Sequence, residues 1–217
     1  MKNSTLFYAF LFFCCTITVS HAQQHLWYNS NKLSCSLINK ITQDSYGFIW
    51  IGTENGLNKF DGWSVTQYFH KDGNYGSLLN NNVQSFLNDK QGNLWIGTGR
   101  GLQRYSEYND VFYSVKFPRN IHPDVYNLCQ LHTGEIWAVT EGYGIFSVNP
   151  ITMVAKSLSH INVMCGTLYP QYVFEDHLHR LWIAKPNGVM VMTTADRKRY
   201  KDIRLSNSNE QMIVTIS

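Results

Sequence analysis

The sequence predicts an all-β fold: a partial β-propeller of four four-stranded antiparallel blades plus the first strand of a fifth, after a signal peptide. Three observations carry this. Tryptophans recur at 50, 95, 137 and 182, hence 45, 42 and 45 residues apart, inside segments that align with one another. The short strands around them are apolar on successive positions, which suits sheets covered on both faces. Composition agrees: 44% hydrophobic and 14% aromatic residues, with only 15% charged, exclude disorder and a long charged helix. A formal net charge of +3 is too weak to argue for a nucleic-acid groove or a membrane-binding surface.

The N-terminus reads first. Lys2, the uncharged run Leu6 to Val19 and Ser20-His21-Ala22 before Gln23 have the form of a secretory signal, residues 1–22, with the propeller over 23–217. Cys14 and Cys15 lie inside that run, each after a residue too large for the usual lipid-attachment context. Cys35, Cys129 and Cys165 remain in a compartment that permits disulfides. Cys129–Cys165 is one conceivable pair and three buried free thiols the other reading; no zinc-type spacing is present.

The repeats span about 37–80, 82–124, 125–167 and 168–211, with 212–217 opening a fifth. Their aligned cores are Asp44 to Leu57, Asp89 to Leu102, His132 to Ile145 and Asp176 to Val189. Ile or Leu precedes every Trp, and Gly47, Gly92 and Gly134 stand three residues before theirs. Asp44-x-x-Gly47 and Asp89-x-x-Gly92 are tight-turn chemistry, the carboxylate accepting from the turn's own N–H groups. Leu131 replaces the Asp in repeat three and His179 replaces the Gly in repeat four. Gly56, Gly101, Gly144 and Gly188 close the following hairpin. Each unit is therefore a meander of about 44 residues, and stacking such units radially covers their apolar faces. Trp50, Trp95, Trp137 and Trp182 are expected to pack between neighbouring blades.

At these residues the sequence resembles the two-component regulator propeller family, whose repeats read D-x-x-G-x-[IL]-W-I-G-T-x-x-G-L. The match is close in repeats one and two and departs at Leu131, Ala138-Val139, Ala184 and Lys185. Leu33 to Ile38 also resembles the segment before the first such repeat in periplasmic sensor domains of hybrid two-component systems. The resemblance implies the extracytoplasmic sensing part of a longer receptor, followed there by a β-sandwich, a membrane helix and a histidine kinase. It implies a small-molecule ligand, in many such systems an oligosaccharide; a homodimeric parent; membrane attachment only through downstream segments; no nucleic acid; and no catalysis in this chain. On that reading the chain is an N-terminal fragment. A seven-blade ring needs about 300 residues at this period, so four blades form an arc with exposed apolar flanks. A closed four-bladed ring would leave the trailing strand over.

Candidate binding residues come from what the strands do not need. The loops between second and third strands carry Glu54, Asn55, Arg100, Glu141, Tyr143, Lys185 and Asn187, and topology places them on one rim with the inter-blade connections near Asn80-Asn81 and Arg119 to His122. Trp63, Tyr75 and Tyr143 have the chemistry to stack on sugar faces. His177 and His179, beside Glu175 and Asp176 in one tight loop, are too few for a ligand set, so neither metal nor cofactor is expected. No nucleophile stands in a catalytic context. The runner-up reading is a piece of an exported propeller lyase or glycosidase, and the third a truncated product without function.

Overall fold

A computed structural model describes residues 33–186, 188–192 and 200–204. The signal segment, Asn187 and the expected fifth-repeat strand lie outside them.

Four separate antiparallel sheets of four strands follow one another along the chain. The first holds β1 (Ile38–Gln43), β2 (Ile49–Thr53), β3 (Gly56–Phe60) and β4 (Val65–Tyr68). The second holds β5 (Val83–Asn88), β6 (Leu94–Thr98), β7 (Gly101–Ser106) and β8 (Val111–Ser114). The third holds β9 (Val125–Gln130), β10 (Ile136–Thr140), β11 (Gly144–Asn149) and β12 (Val154–Ser157), and the fourth β13 (Tyr172–Glu175), β14 (Leu181–Lys185), β15 (Gly188–Met192) and β16 (Tyr200–Arg204). Every sheet keeps chain order, so each is one meander. The first strands lie side by side in series, β1 by β5, β5 by β9 and β9 by β13, as the innermost strands of propeller blades do.

The core sits between sheets, as unbroken apolar strands require. Trp50 and Leu57 of blade one pack with Val83, Phe86, Leu94, Ile96, Tyr105 and Phe112 of blade two. Trp95 and Leu102 meet Val125, Leu128, Ile136, Ala138, Phe146 and Val148 of blade three. Trp137, Val139 and Ile145 meet Val173, Leu181, Ile183, Met190 and Met192 of blade four. Trp50, Trp95 and Trp137 are 0% exposed. Trp182 is only half-buried, since no described residue stacks a further sheet on its side. Leu37, Ile38 and Ile41 of the first blade are likewise exposed.

In blades one, two and four an aspartate organises the turn that precedes the Trp, while Leu131 stands there in blade three. Asp44 Oδ1 accepts from the N–H groups of Tyr46 and Phe48, and its Oδ2 accepts Trp50 Nε1–H at 2.7 Å. Asp89 does the same for Gln91, Asn93 and Trp95, and Asp176 for Leu178, Arg180 and Trp182. The six-residue Asp-to-Trp spacing thus fixes both the turn and the ring it delivers to the core. At the next hairpin the Thr53 hydroxyl donates to the Gly56 carbonyl, and Thr98 and Thr140 repeat the bond to Gly101 and Gly144.

The structure adds one helix that strand periodicity does not show. α1 (Ser159–Cys165) fills the connection from blade three to blade four and stops at Gly166 in the left-handed region. Its buried Asn162 accepts from the Ile145 N–H and donates to the Ile145 carbonyl, which also takes the Leu158 N–H. Cys35, Cys129 and Cys165 are free thiols, so the conceivable Cys129–Cys165 bridge is not made. Burial pushes the Cys129 and Cys165 thiols up to about 11.

Asp176 gives a pH dependence. Burial by itself raises its pKa, but the bonds from Trp182, Arg180 and Leu178 outweigh that and hold the carboxyl well below the usual range. Asp61, accepting from Ser64 and Trp63 in the hairpin before β4, is lowered to about 2. A carboxylate whose folded pKa is depressed stabilises fully above its unfolded value of about 4 and loses that contribution as pH falls toward the folded value. The urea midpoint is therefore expected to fall between pH 5 and pH 2, with a smaller drop in Asp176→Asn, measured by tryptophan fluorescence.

Candidate functional site at the channel mouth

The hairpins between second and third strands sit against the chain entering the next blade, as topology requires. Gly56 N–H donates to the Asn81 carbonyl at 2.7 Å, Gly99 N–H to that of Asn82 at 3.0 Å, and Glu141 N–H to that of Asp124 at 3.1 Å. One rim therefore carries both kinds of loop.

At its inner edge a polar ladder joins blade to blade. Asn39, Gln84 and Tyr126 hold the same register, each eleven residues before its Trp and second in its innermost strand. Asn39 Nδ2–H donates to Asn82 Oδ1 and to the Val83 carbonyl, both at 3.0 Å. Gln84 Nε2–H donates to Asp124 Oδ2 at 3.0 Å, and the Tyr126 hydroxyl donates to the Pro170 carbonyl. Asn39, Gln84 and Tyr126, with Glu54 and Asn82, line a depression of about 310 Å³ at the mouth.

Asp124 is the chemically telling group. One oxygen is taken by Gln84, while Oδ1 is buried and has no hydrogen-bond partner among the described residues. Burial raises its pKa, the Gln84 bond partly offsets this, and the charge of Glu141 adds to the rise. Burial and the charges of Glu141 and Asp124 likewise push the Tyr126 phenol well above its ordinary range. A buried acceptor left open costs free energy unless something donates to it. With Glu54 in its lining, and Gln84 holding Asp124 beside Glu141, the mouth is rich in acceptors and suited to a ligand that brings hydroxyl or N–H donors.

The residues singled out from sequence divide among three places. Glu54 lines the mouth, and Glu141 stands beside Asp124. Asn55 accepts from Asn81 Nδ2–H at 3.1 Å and so braces the rim, while Arg100 is exposed on the blade-two hairpin. Tyr143 lines a separate depression of about 470 Å³ beside α1, with Ser157, Asn162 and Leu168. Lys185 is engaged, paired with Asp202 at 2.8 Å and near the Cys165 carbonyl. Asn187 lies outside the described residues. Trp63 and Tyr75 are almost fully exposed and line none of these depressions. Sequence reasoning missed Asn39, Asn82, Gln84, Asp124 and Tyr126. The signal was the shared register of three of them, hidden because their side chains differ.

Residues 32–55 and 77–100 match the model of the two component regulator propeller family. Those two stretches are similar to two-component regulator propeller repeats. Repeats three and four, which depart from the motif, lie outside the matched stretches. Sequence comparison with curated proteins gives no match. The fold is similar to the extracellular domain described as a hybrid two component system from B. thetaiotaomicron, at TM-score 0.70 and 23% identity over 82% of this chain and 26% of that one. A second such extracellular domain from that organism gives TM-score 0.50 at 20% identity, over 86% of this chain and 35% of that one. Virginiamycin B lyase from Staphylococcus aureus gives TM-score 0.56 at 14% identity, over 79% and 56%. The chain spans about a quarter of the length of the first of these. These likenesses establish the propeller fold. Among the described residues no helix is long and apolar enough to cross a membrane.

Proposed function

We propose that this chain is the exported, periplasmic ligand-binding propeller of a two-component receptor, and that it binds an oligosaccharide at the channel mouth without transforming it. The observation that carries the reading is the polar lining of the mouth, Asn39, Glu54, Asn82, Gln84 and Tyr126, whose Gln84 holds an Asp124 with a buried Oδ1 that has no partner among the described residues. Sugar hydroxyls donate in several directions at once, and amide and carboxylate groups spaced around one opening suit them. A ladder tying three blades together also gives a ligand at the mouth a grip on how those blades pack. In the complete receptor the propeller is joined to a membrane helix and kinase, and two copies pair.

The test is a panel of neutral oligosaccharides screened by thermal shift on the full chain, with chromatography of the sugars afterwards. A binder at a hundredfold excess over its dissociation constant is expected to add about 2.7 kcal/mol of stability. The recovered sugar should be unchanged. Silence across the panel overturns the oligosaccharide reading, and a shortened or unsaturated product overturns the non-catalytic one.

A further inference from the structure

The opposite rim, formed by the turns between first and second strands, brings together a cluster that sequence spacing does not reveal. His132 belongs to the turn of blade three, and Glu175 and His179 to the end of β13 and the turn of blade four. His132 Nδ1 lies 2.7 Å from Glu175 Oε1, while the His132 backbone N–H donates to Glu175 Oε2. The His132 and His179 rings stack with centroids 3.9 Å apart. One ligand atom from each of the three residues lies within 4.8 Å of the others.

We propose that His132, Glu175 and His179 bind a divalent metal ion of the zinc class and clip blades three and four together. Two imidazoles and one carboxylate suit zinc, nickel or copper better than magnesium or calcium, which favour oxygen alone. Three protein ligands leave a fourth tetrahedral position for water. The carboxylate is already oriented: the Glu175 side chain is 9% exposed, and the His132 N–H fixes its second oxygen, as outer-shell bonds do in metal sites. The two rings are exposed, so side-chain rotation is free to draw their nitrogens to bonding distance. His179 is also not what its turn asks for. The equivalent positions are Gly47, Gly92 and Gly134, all at positive φ, and His179 adopts φ 60° in the same place. Lys90 reaches this turn with its Nζ 3.4 Å from the His132 carbonyl, a charge that the ion must tolerate.

The experiment is a zinc titration of the full, untagged chain against a chromophoric chelator at neutral pH, repeated with cobalt(II) for its visible absorption. One ion per chain is expected, with calcium failing to compete. His132→Ala and His179→Gly should each weaken affinity at least tenfold and abolish a tetrahedral cobalt spectrum, while His177→Ala leaves both unchanged. His179→Gly restores the glycine used by the other blades, so it should melt no lower than the parent in chelator, which separates lost ligation from lost folding. Absence of stoichiometric binding, or affinity unaltered in both His132→Ala and His179→Gly, overturns the proposal.

Discussion

Trp95→Ala is expected to destabilise the chain by about 3–5 kcal/mol, the usual range for emptying a fully buried tryptophan site. The ring is 0% exposed between blades two and three, its Nε1–H donates to Asp89 Oδ2 at 2.8 Å, and the Arg104 guanidinium lies 5.7 Å from its centre. Removing it leaves a cavity walled by Val125, Leu128, Ile136 and Ala138, strand residues that cannot collapse into it without moving a sheet. It also leaves Asp89 Oδ2 with the Asn93 Nδ2–H bond in place of two donors. For a chain of this size the loss corresponds to roughly 6–20 °C in melting temperature. The same substitution at Trp182 should cost about half as much, because that ring is only half-buried and belongs to no inter-blade core. Calorimetry on the two variants checks both the size and the order; equal losses would mean that the ring's own sheet, and not the neighbouring blade, supplies its stabilisation.

Gly97→Ala is the second large effect, at about 1–3 kcal/mol from overpacking. A Cβ built there falls 2.3 Å from the Val125 carbonyl oxygen and 2.1 Å from Ser85 Oγ. Ser85 could turn aside only by surrendering its 2.9 Å bond to that same carbonyl, and the carbonyl is backbone of the next blade's innermost strand. The two sheets must separate. Gly134→Ala makes the contrast: no atom lies within 4 Å of its new Cβ, so only the strain of φ +87° remains, about 1–2 kcal/mol. Urea unfolding of both variants, with hydrogen exchange at Val125 and Tyr126, reads the difference. Accelerated exchange is expected in Gly97→Ala alone.

These cases show which parts of the molecule could be read in advance. The meanders were legible because Trp spacing, the Asp-x-x-Gly turns and two-faced apolar strands all constrain the same unit. The glycine of the Ile-Trp-Ile-Gly-Thr motif was visible, but its reason was not: Gly97 admits the neighbouring backbone, whereas Val139 at the equivalent place of blade three shares a buried cluster with Val173 and Ile183 of blade four. Helix α1 was missed because seven residues without a clear period give no helical signal. Topology put the hairpins and the inter-blade connections on one rim, and their backbone bonds show them together there. The polar groups of the proposed site were not legible, since Asn39, Gln84 and Tyr126 share a register and no residue type, and Asp124 sits in a connection that looks like any polar loop. His132 meets Glu175 and His179 only through the stacking of blades, which a local motif cannot express.

The proposed ligand site is the mouth, and not the outer aromatics or the depression beside α1. Isothermal titration of the best oligosaccharide into three variants tests it most directly: Asp124→Asn with Gln84→Ala, Tyr143→Ala, and Trp63→Ala. The mouth variant should lose at least tenfold in affinity while the other two bind as the parent does. Undiminished binding in the mouth variant, or a comparable loss in Tyr143→Ala alone, would contradict it.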